Sequence, residues 1–188
     1  MKIKILSDST CDLSREQIAK YDIHILPLAV AMGENNYRDG VDIAPEQIFA
    51  HVANGGGLPK TAANNIADYQ AAFEKYSKEY DAVIHLNISA EFSSCHQNAC
   101  AAAADFENVY VVDSRNLSTG HGLLVIRAYE LAESGKTGGE IAEELRSMPG
   151  AGPGRNRYSQ PARSALGRTP RRIRTGLPHP AAFLPAEA

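Results

Sequence analysis

Three short runs of strand-forming residues, each ending in a hydroxyl and acid cluster, constrain this chain more than anything else in it. Lys2–Leu6 alternates polar and apolar side chains and runs into Ser7-Asp8-Ser9-Thr10. Ala82–Ile88 is followed by Ser89 to Ser94, and Val109–Val112 by Asp113-Ser114. Helical signals lie between them. Ser14-Arg15-Glu16-Gln17 is a capping box that opens a short helix to about Lys20. Pro45 suits the first position of a helix that ends near Ala53, before Gly55-Gly56-Gly57. Ile66, Tyr69, Phe73 and Tyr76 share one helical face. Cys95–Ala104 is alanine-rich and favours helix, and further helices are expected from Leu117 to about Glu133 and from Thr137 to Met148. Ile23–Met32 reads as extended chain, with Pro27 excluding a central strand there. Asn35–Gly40 carries turn chemistry, and Leu58-Pro59-Lys60-Thr61 reads as a loop.

This order predicts an α/β fold, a mostly parallel sheet flanked by helices on both faces. Ligands of such sheets bind beyond the carboxyl ends of the strands, where all three clusters fall. Capping and turn formation use the same residue types, so the pattern alone leaves both roles open.

Composition divides the chain at residue 148. Residues 1–148 hold 7 Lys and 5 Arg against 21 acidic residues, whereas residues 149–188 hold 7 Arg, no Lys, one acid (Glu187) and 7 of the 10 prolines. The second segment lacks any helical or strand period. Its scattered apolar residues are too few to offset an ordering cost of roughly 1–2 kcal/mol per residue, so disorder is expected over 149–188. A shifted reading frame in a GC-rich gene would produce such a composition. An Arg-rich tail also raises binding to nucleic acid or anionic membranes, but without Lys, interleaved aromatics or a known module, nucleic acid is not an expected partner. The apolar runs are too short for a transmembrane segment, which needs about 20 residues. Asp8 interrupts any signal-peptide core, and three cysteines without metal or CxxC spacing suggest reduced thiols, hence the cytoplasm.

At the second cluster, Ser93 and Ser94 precede the alanine-rich helix. The first turn of a helix presents free N–H groups and about half a positive charge, which suits a carboxylate or phosphate without Lys or Arg. Thr61, on a neighbouring loop, is placed to close the site. An ordinary N-cap is the competing role for Ser93. Asp8, Asp39, Asp42 and Asp113 raise a Mg²⁺ site, but no phosphate-loop or kinase motif accompanies them. No HExxH or paired-histidine spacing suggests a metal, and no cofactor is expected.

Taken in order, Ser7-Asp8-Ser9-Thr10-Cys11-Asp12-Leu13, Ile25-Leu26-Pro27-Leu28, Tyr37-Arg38-Asp39-Gly40-Val41-Asp42, Pro59-Lys60-Thr61-Ala62-Ala63, Ile88-Ser89-Ala90-Glu91-Phe92-Ser93-Ser94 with Gln97-Asn98-Ala99, and Val112-Asp113-Ser114 resemble the DegV family of bacterial fatty-acid-binding proteins. Thr61-Ala62-Ala63-Asn64 stands where the family commonly has Thr-Ser-Gln-Pro, and Ser93-Ser94-Cys95 where Ser-Gly-Thr is common. Both departures keep the leading hydroxyl. The resemblance implies a carrier and not an enzyme: a long-chain fatty acid such as palmitate is held by its carboxylate, through residues matching Thr61 and Ser93, and presented to a fatty acid kinase that makes the acyl phosphate. It also implies that the acids of the first motif are structural. Family members are longer, and a second domain covers the acyl chain. Residues 1–148 match the N-terminal part only, so impaired binding is expected. The competing function is an enzyme acting on a phosphate or carboxylate at the same strand ends, for which His96 would be the only base near Ser93.

Overall fold

The computed structural model describes residues 1–148; the expectation of disorder over 149–188 lies outside the described residues. Four parallel strands form the main sheet: β1 (Ile3–Asp8), β2 (His24–Leu26), β6 (Ala82–Asn87) and β7 (Val109–Asp113), in the order β2-β1-β6-β7. The register pairs Ile5 with Ile84 and Ile84 with Tyr110. Every residue of β6 is buried, as a central strand covered on both faces requires.

Helices α3 (Ile66–Ser77) and α4 (Cys95–Ala103) cover one face. There Tyr69, Phe73, Cys95, Ala99 and Ala102 pack with Leu6, Val83 and Val111. Helices α5 (Thr119–Glu133) and α6 (Gly138–Ser147) cover the other, where Val125, Ala128, Leu131, Ile141 and Leu145 meet Ile5, Ile84, Leu86 and Val112. Alternation along the strands divides the two layers, since successive side chains point to opposite faces. Gly122 lets α5 approach the 3-10 turn Ser9–Cys11, because a Cβ there would stand 2.4 Å from the Cys11 carbonyl oxygen.

The expected capping box at α1 (Arg15–Lys20) is present: Gln17 N–H donates to Ser14 Oγ at 3.2 Å, and Ser14 N–H to Gln17 Oε1 at 3.0 Å. Asn65 with Asp68 caps α3 in the same way, and Thr137 with Glu140 caps α6. Pro45 opens α2 (Pro45–Ala53). Pro27 lies just beyond β2, an edge strand.

Two local expectations are corrected. Asn35–Arg38 is not a turn but strand β4, antiparallel to β3 (Ala29–Met32). The reversal falls earlier, at Gly33, whose φ of +64° suits glycine. Lys60–Ala62, read as loop, is strand β5 on the other side of β3. Three residues are too few to show a period, and pairing to β3 decides their state. The result is a second, three-stranded antiparallel sheet, β4-β3-β5, beside the parallel one.

Candidate anion site at the start of helix α4

The chain leaves β6 at Ile88 and turns into α4 through Ser89–Ser94. Ser89 N–H donates to the Asn116 carbonyl at 3.0 Å, Ala90 N–H to Asp113 Oδ1 at 3.1 Å, and Phe92 N–H to the Ser89 carbonyl at 2.9 Å. The first two tie the turn to the end of β7 and the residues that follow it, and the third closes the turn on itself. Beyond it lies a groove of about 470 Å³ whose wall includes Phe92, Ser93, Ser94, His96 and Gln97, with Glu91 as its one acidic member.

Ser93 and Ser94 therefore share one groove. Ser94 occupies the N-cap position without a side-chain cap bond. Ser93 Oγ accepts from Cys95 N–H at 3.2 Å and donates to Cys95 Sγ at 3.1 Å, so the hydroxyl that sequence places between capping and binding does make a capping contact. Thr61 stands on β5 opposite Val30, exposed, and is not part of the groove wall. The two segments are nevertheless joined: Asn98 Nδ2 of α4 donates at 2.9 Å to the carbonyl of Asn64, three residues beyond Thr61.

His96 shares the groove but is not hydrogen-bonded to Ser93. Its Nε2 lies 3.5 Å from Cys100 Sγ, and its Nδ1 is buried without a partner. Burial depresses its pKa, partly offset by Asp113. A base aimed elsewhere does not activate the serine hydroxyl in this arrangement.

The cluster after β1 is built differently. Asp8 is fully buried, and its carboxylate accepts from Thr10 N–H at 3.1 Å and Ile88 N–H at 2.7 Å. His121, from α5, lies 3.1 Å from Ser7 Oγ and 3.2 Å from Thr10 Oγ1, with Nδ1 3.7 Å from Asp8. Serine, histidine and aspartate thus meet in the order of a hydrolytic triad, but all three are sealed from solvent. A nucleophile must reach its substrate; this group holds β1, β6 and α5 together. No local spacing in the sequence links His121 to Ser7; only packing of α5 brings them together.

Two of the remaining acids are also engaged. Asp42 binds Arg38 in two contacts, 2.8 and 2.9 Å, and Asp113 accepts from Ala90 and Arg115 N–H groups. Among the described residues no three His, Cys, Asp or Glu side chains gather in a metal-binding group, and no helix is long and apolar enough to cross a membrane. Cys11 and Cys95 are buried, Cys100 is exposed, and all are free thiols.

A parallel α/β sheet with a polar groove beyond the carboxyl ends of its strands has the arrangement in which open α/β domains place their ligand sites. The family model described as an uncharacterised protein, DegV family, matches residues 2–149, and the chain belongs to that family. It is 38% identical over 146 residues to a DegV domain-containing protein of Clostridium perfringens, covering 77% of this chain and 52% of that one. Protein DegV of Bacillus subtilis is 31% identical over 151 residues, with 79% and 54% covered. The chain thus spans about half the length of these relatives. Among solved structures it is similar to a DegV family protein of Thermus thermophilus described by its fatty acid binding, with a TM-score of 0.72, 34% identity, and 77% and 52% covered. A stearic-acid-binding protein of Eubacterium ventriosum gives 0.69, 30%, 78% and 53%.

Proposed function

We propose that residues 1–148 supply the carboxylate-gripping half of a lipid-binding protein that holds a long-chain fatty acid such as palmitate and presents it to a fatty acid kinase. In this reading Ser93 and Ser94 donate hydroxyl hydrogens to the carboxylate, the first turn of α4 adds its N–H groups and dipole, and Thr61 takes part from β5, outside the groove wall. The acyl chain leaves the groove past Phe92. The protein does no chemistry of its own and works in the cytoplasm, where its cysteines stay reduced. One observation carries the proposal: two hydroxyls stand together at the open start of a helix, in a chain 34% identical to a family member described by its fatty acid binding.

Organic extraction of the purified chain followed by mass spectrometry tests it, with Ser93→Ala as control. A free fatty acid recovered from the unaltered chain and depleted in the variant supports the reading. No lipid in the extract, together with no response to added palmitate, removes it.

A further inference from the structure

Helix α4 carries a second pair of chemically active side chains just past the serines. His96 and Cys100 are four residues apart and stand on the same side of the helix. His96 Nε2 lies 3.5 Å from Cys100 Sγ. The Cys100 thiol is exposed, whereas those of Cys11 and Cys95 are buried. The other ring nitrogen of His96, Nδ1, is buried without a partner, so Nε2 is the one that meets the thiol. Neither group is bonded to the serines, since Ser93 is held by Cys95.

Imidazole nitrogen and thiolate sulfur are ligands that zinc favours, at about 2.0–2.1 Å and about 2.3 Å. On a tetrahedral ion with those bond lengths the two atoms stand about 3.5 Å apart, which is the separation between His96 Nε2 and Cys100 Sγ. We propose that His96 and Cys100 form an open, two-ligand site for a thiophilic divalent cation of the Zn²⁺ type, with water in the remaining positions. A structural zinc site would add further ligands and an acceptor behind the imidazole. Here Nδ1 has no acceptor, and among the described residues no third His, Cys, Asp or Glu joins the pair, so the bound ion is exchangeable. Two charged groups act on both side chains: Asp113, which attracts a cation, and Arg146, which opposes it. Burial holds the pKa of His96 below its ordinary value and raises that of Cys100. The imidazole is therefore neutral near pH 7, and the ion has only the thiol proton to displace. His96 also lines the serine groove, but the cation site stands whether or not that groove holds a carboxylate.

Cobalt(II) is the spectroscopic probe, titrated into the full reduced chain and then displaced by Zn²⁺, for the unaltered protein, His96→Gln and Cys100→Ala. One Co²⁺ per chain should bring up a thiolate-to-cobalt charge-transfer band that Zn²⁺ removes. Cys100→Ala should lose the band, and His96→Gln should weaken binding about tenfold or more. Zinc affinity should rise about tenfold per pH unit between about pH 6.5 and 8, as one thiol proton is released. Zn²⁺ should also slow alkylation of Cys100 by iodoacetamide, read by mass spectrometry, and this readout needs no variant. A band that survives in Cys100→Ala, or a zinc affinity that does not change over that pH range, puts the ion elsewhere and overturns the proposal. Equal affinity in His96→Gln overturns it too, because a lone thiol then binds the metal. No band at millimolar Co²⁺ together with no protection by Zn²⁺ leaves the pair as a weak hydrogen bond within α4 and removes the site.

Discussion

The clusters after β1 and after β6 are written in the same residue types and end up as opposites. Ser7, Asp8 and Thr10 meet His121 in a buried group in which the Asp8 carboxylate takes two backbone N–H groups. Ser93 and Ser94 stand at the wall of an open groove, and only Ser93 is engaged, by Cys95. The difference comes from what packs above each turn. Gly122 lets α5 sit directly on the turn after β1, whereas the turn after β6 leaves Ser93, Ser94 and His96 lining an open groove at the start of α4. A strand-end polar cluster is therefore a structural lock or a binding site according to its cover.

The largest effect should come on the open side, where the groove beside Ser93 and Ser94 leaves an acyl chain exposed. Each buried methylene contributes about 0.8 kcal/mol, so a palmitate with half its chain exposed forfeits about 6 kcal/mol, or roughly four powers of ten in affinity. Isothermal titration against a longer fatty-acid-binding relative measures this. Equal affinities would show that the groove needs no lid.

Next comes acid sensitivity on the sealed side. Burial holds the pKa of His85 down to about 3 and lowers that of His121. Both are neutral in the fold, yet in the unfolded chain they take up protons below about pH 6.5. The unfolded state then binds more protons, so stability is full above that pH and falls as pH drops toward the folded values. For His85 the loss is about 1.4 kcal/mol per pH unit below the unfolded pKa, or about 2 kcal/mol between pH 7 and 5, and the lowered pKa of His121 acts in the same direction. Urea unfolding at the two pH values should show a clearly lower midpoint at pH 5, and a level or rising midpoint would contradict burial of neutral imidazoles.

A pair of substitutions sets the clusters directly against each other. Asp8→Ala leaves the Thr10 and Ile88 N–H groups and the Thr10 hydroxyl without their buried acceptor and should cost about 3 kcal/mol of stability. Ser93→Ala removes one capping contact and should cost about 1 kcal/mol or less, while depleting the fatty acid recovered with the chain. Chemical denaturation of both variants checks the ranking; reversal would mean that the groove is the structural element and the β1 cluster the dispensable one.

Much of this was legible in sequence for local reasons. Capping boxes at Ser14 and Thr137, Pro45 at a helix start, and the spacing of Tyr69, Phe73 and Tyr76 act over one or two turns, and each appears where its chemistry puts it. Three of the four parallel strands, β1, β6 and β7, are likewise visible, because β6 and its neighbours are apolar enough to be buried on both faces. The small sheet was not: Asn35–Arg38 and Lys60–Ala62 have polar, short sequences whose strand state exists only through pairing to β3. Ser93 and Ser94 were placed correctly at the start of α4, but Thr61 was not visibly separate from their groove until β5 was seen.

By itself, the sequence determined the elements, their order and the polar chemistry waiting at each strand end, since propensity, capping and hydrophobic period are properties of neighbouring residues. Which cluster would be sealed and which left open, and that Cys95 would sit beneath Ser93 and His121 beside Ser7, was decided only when α4 and α5 docked on the sheet. Contacts between residues far apart in the chain arise from packing, and no local pattern encodes them.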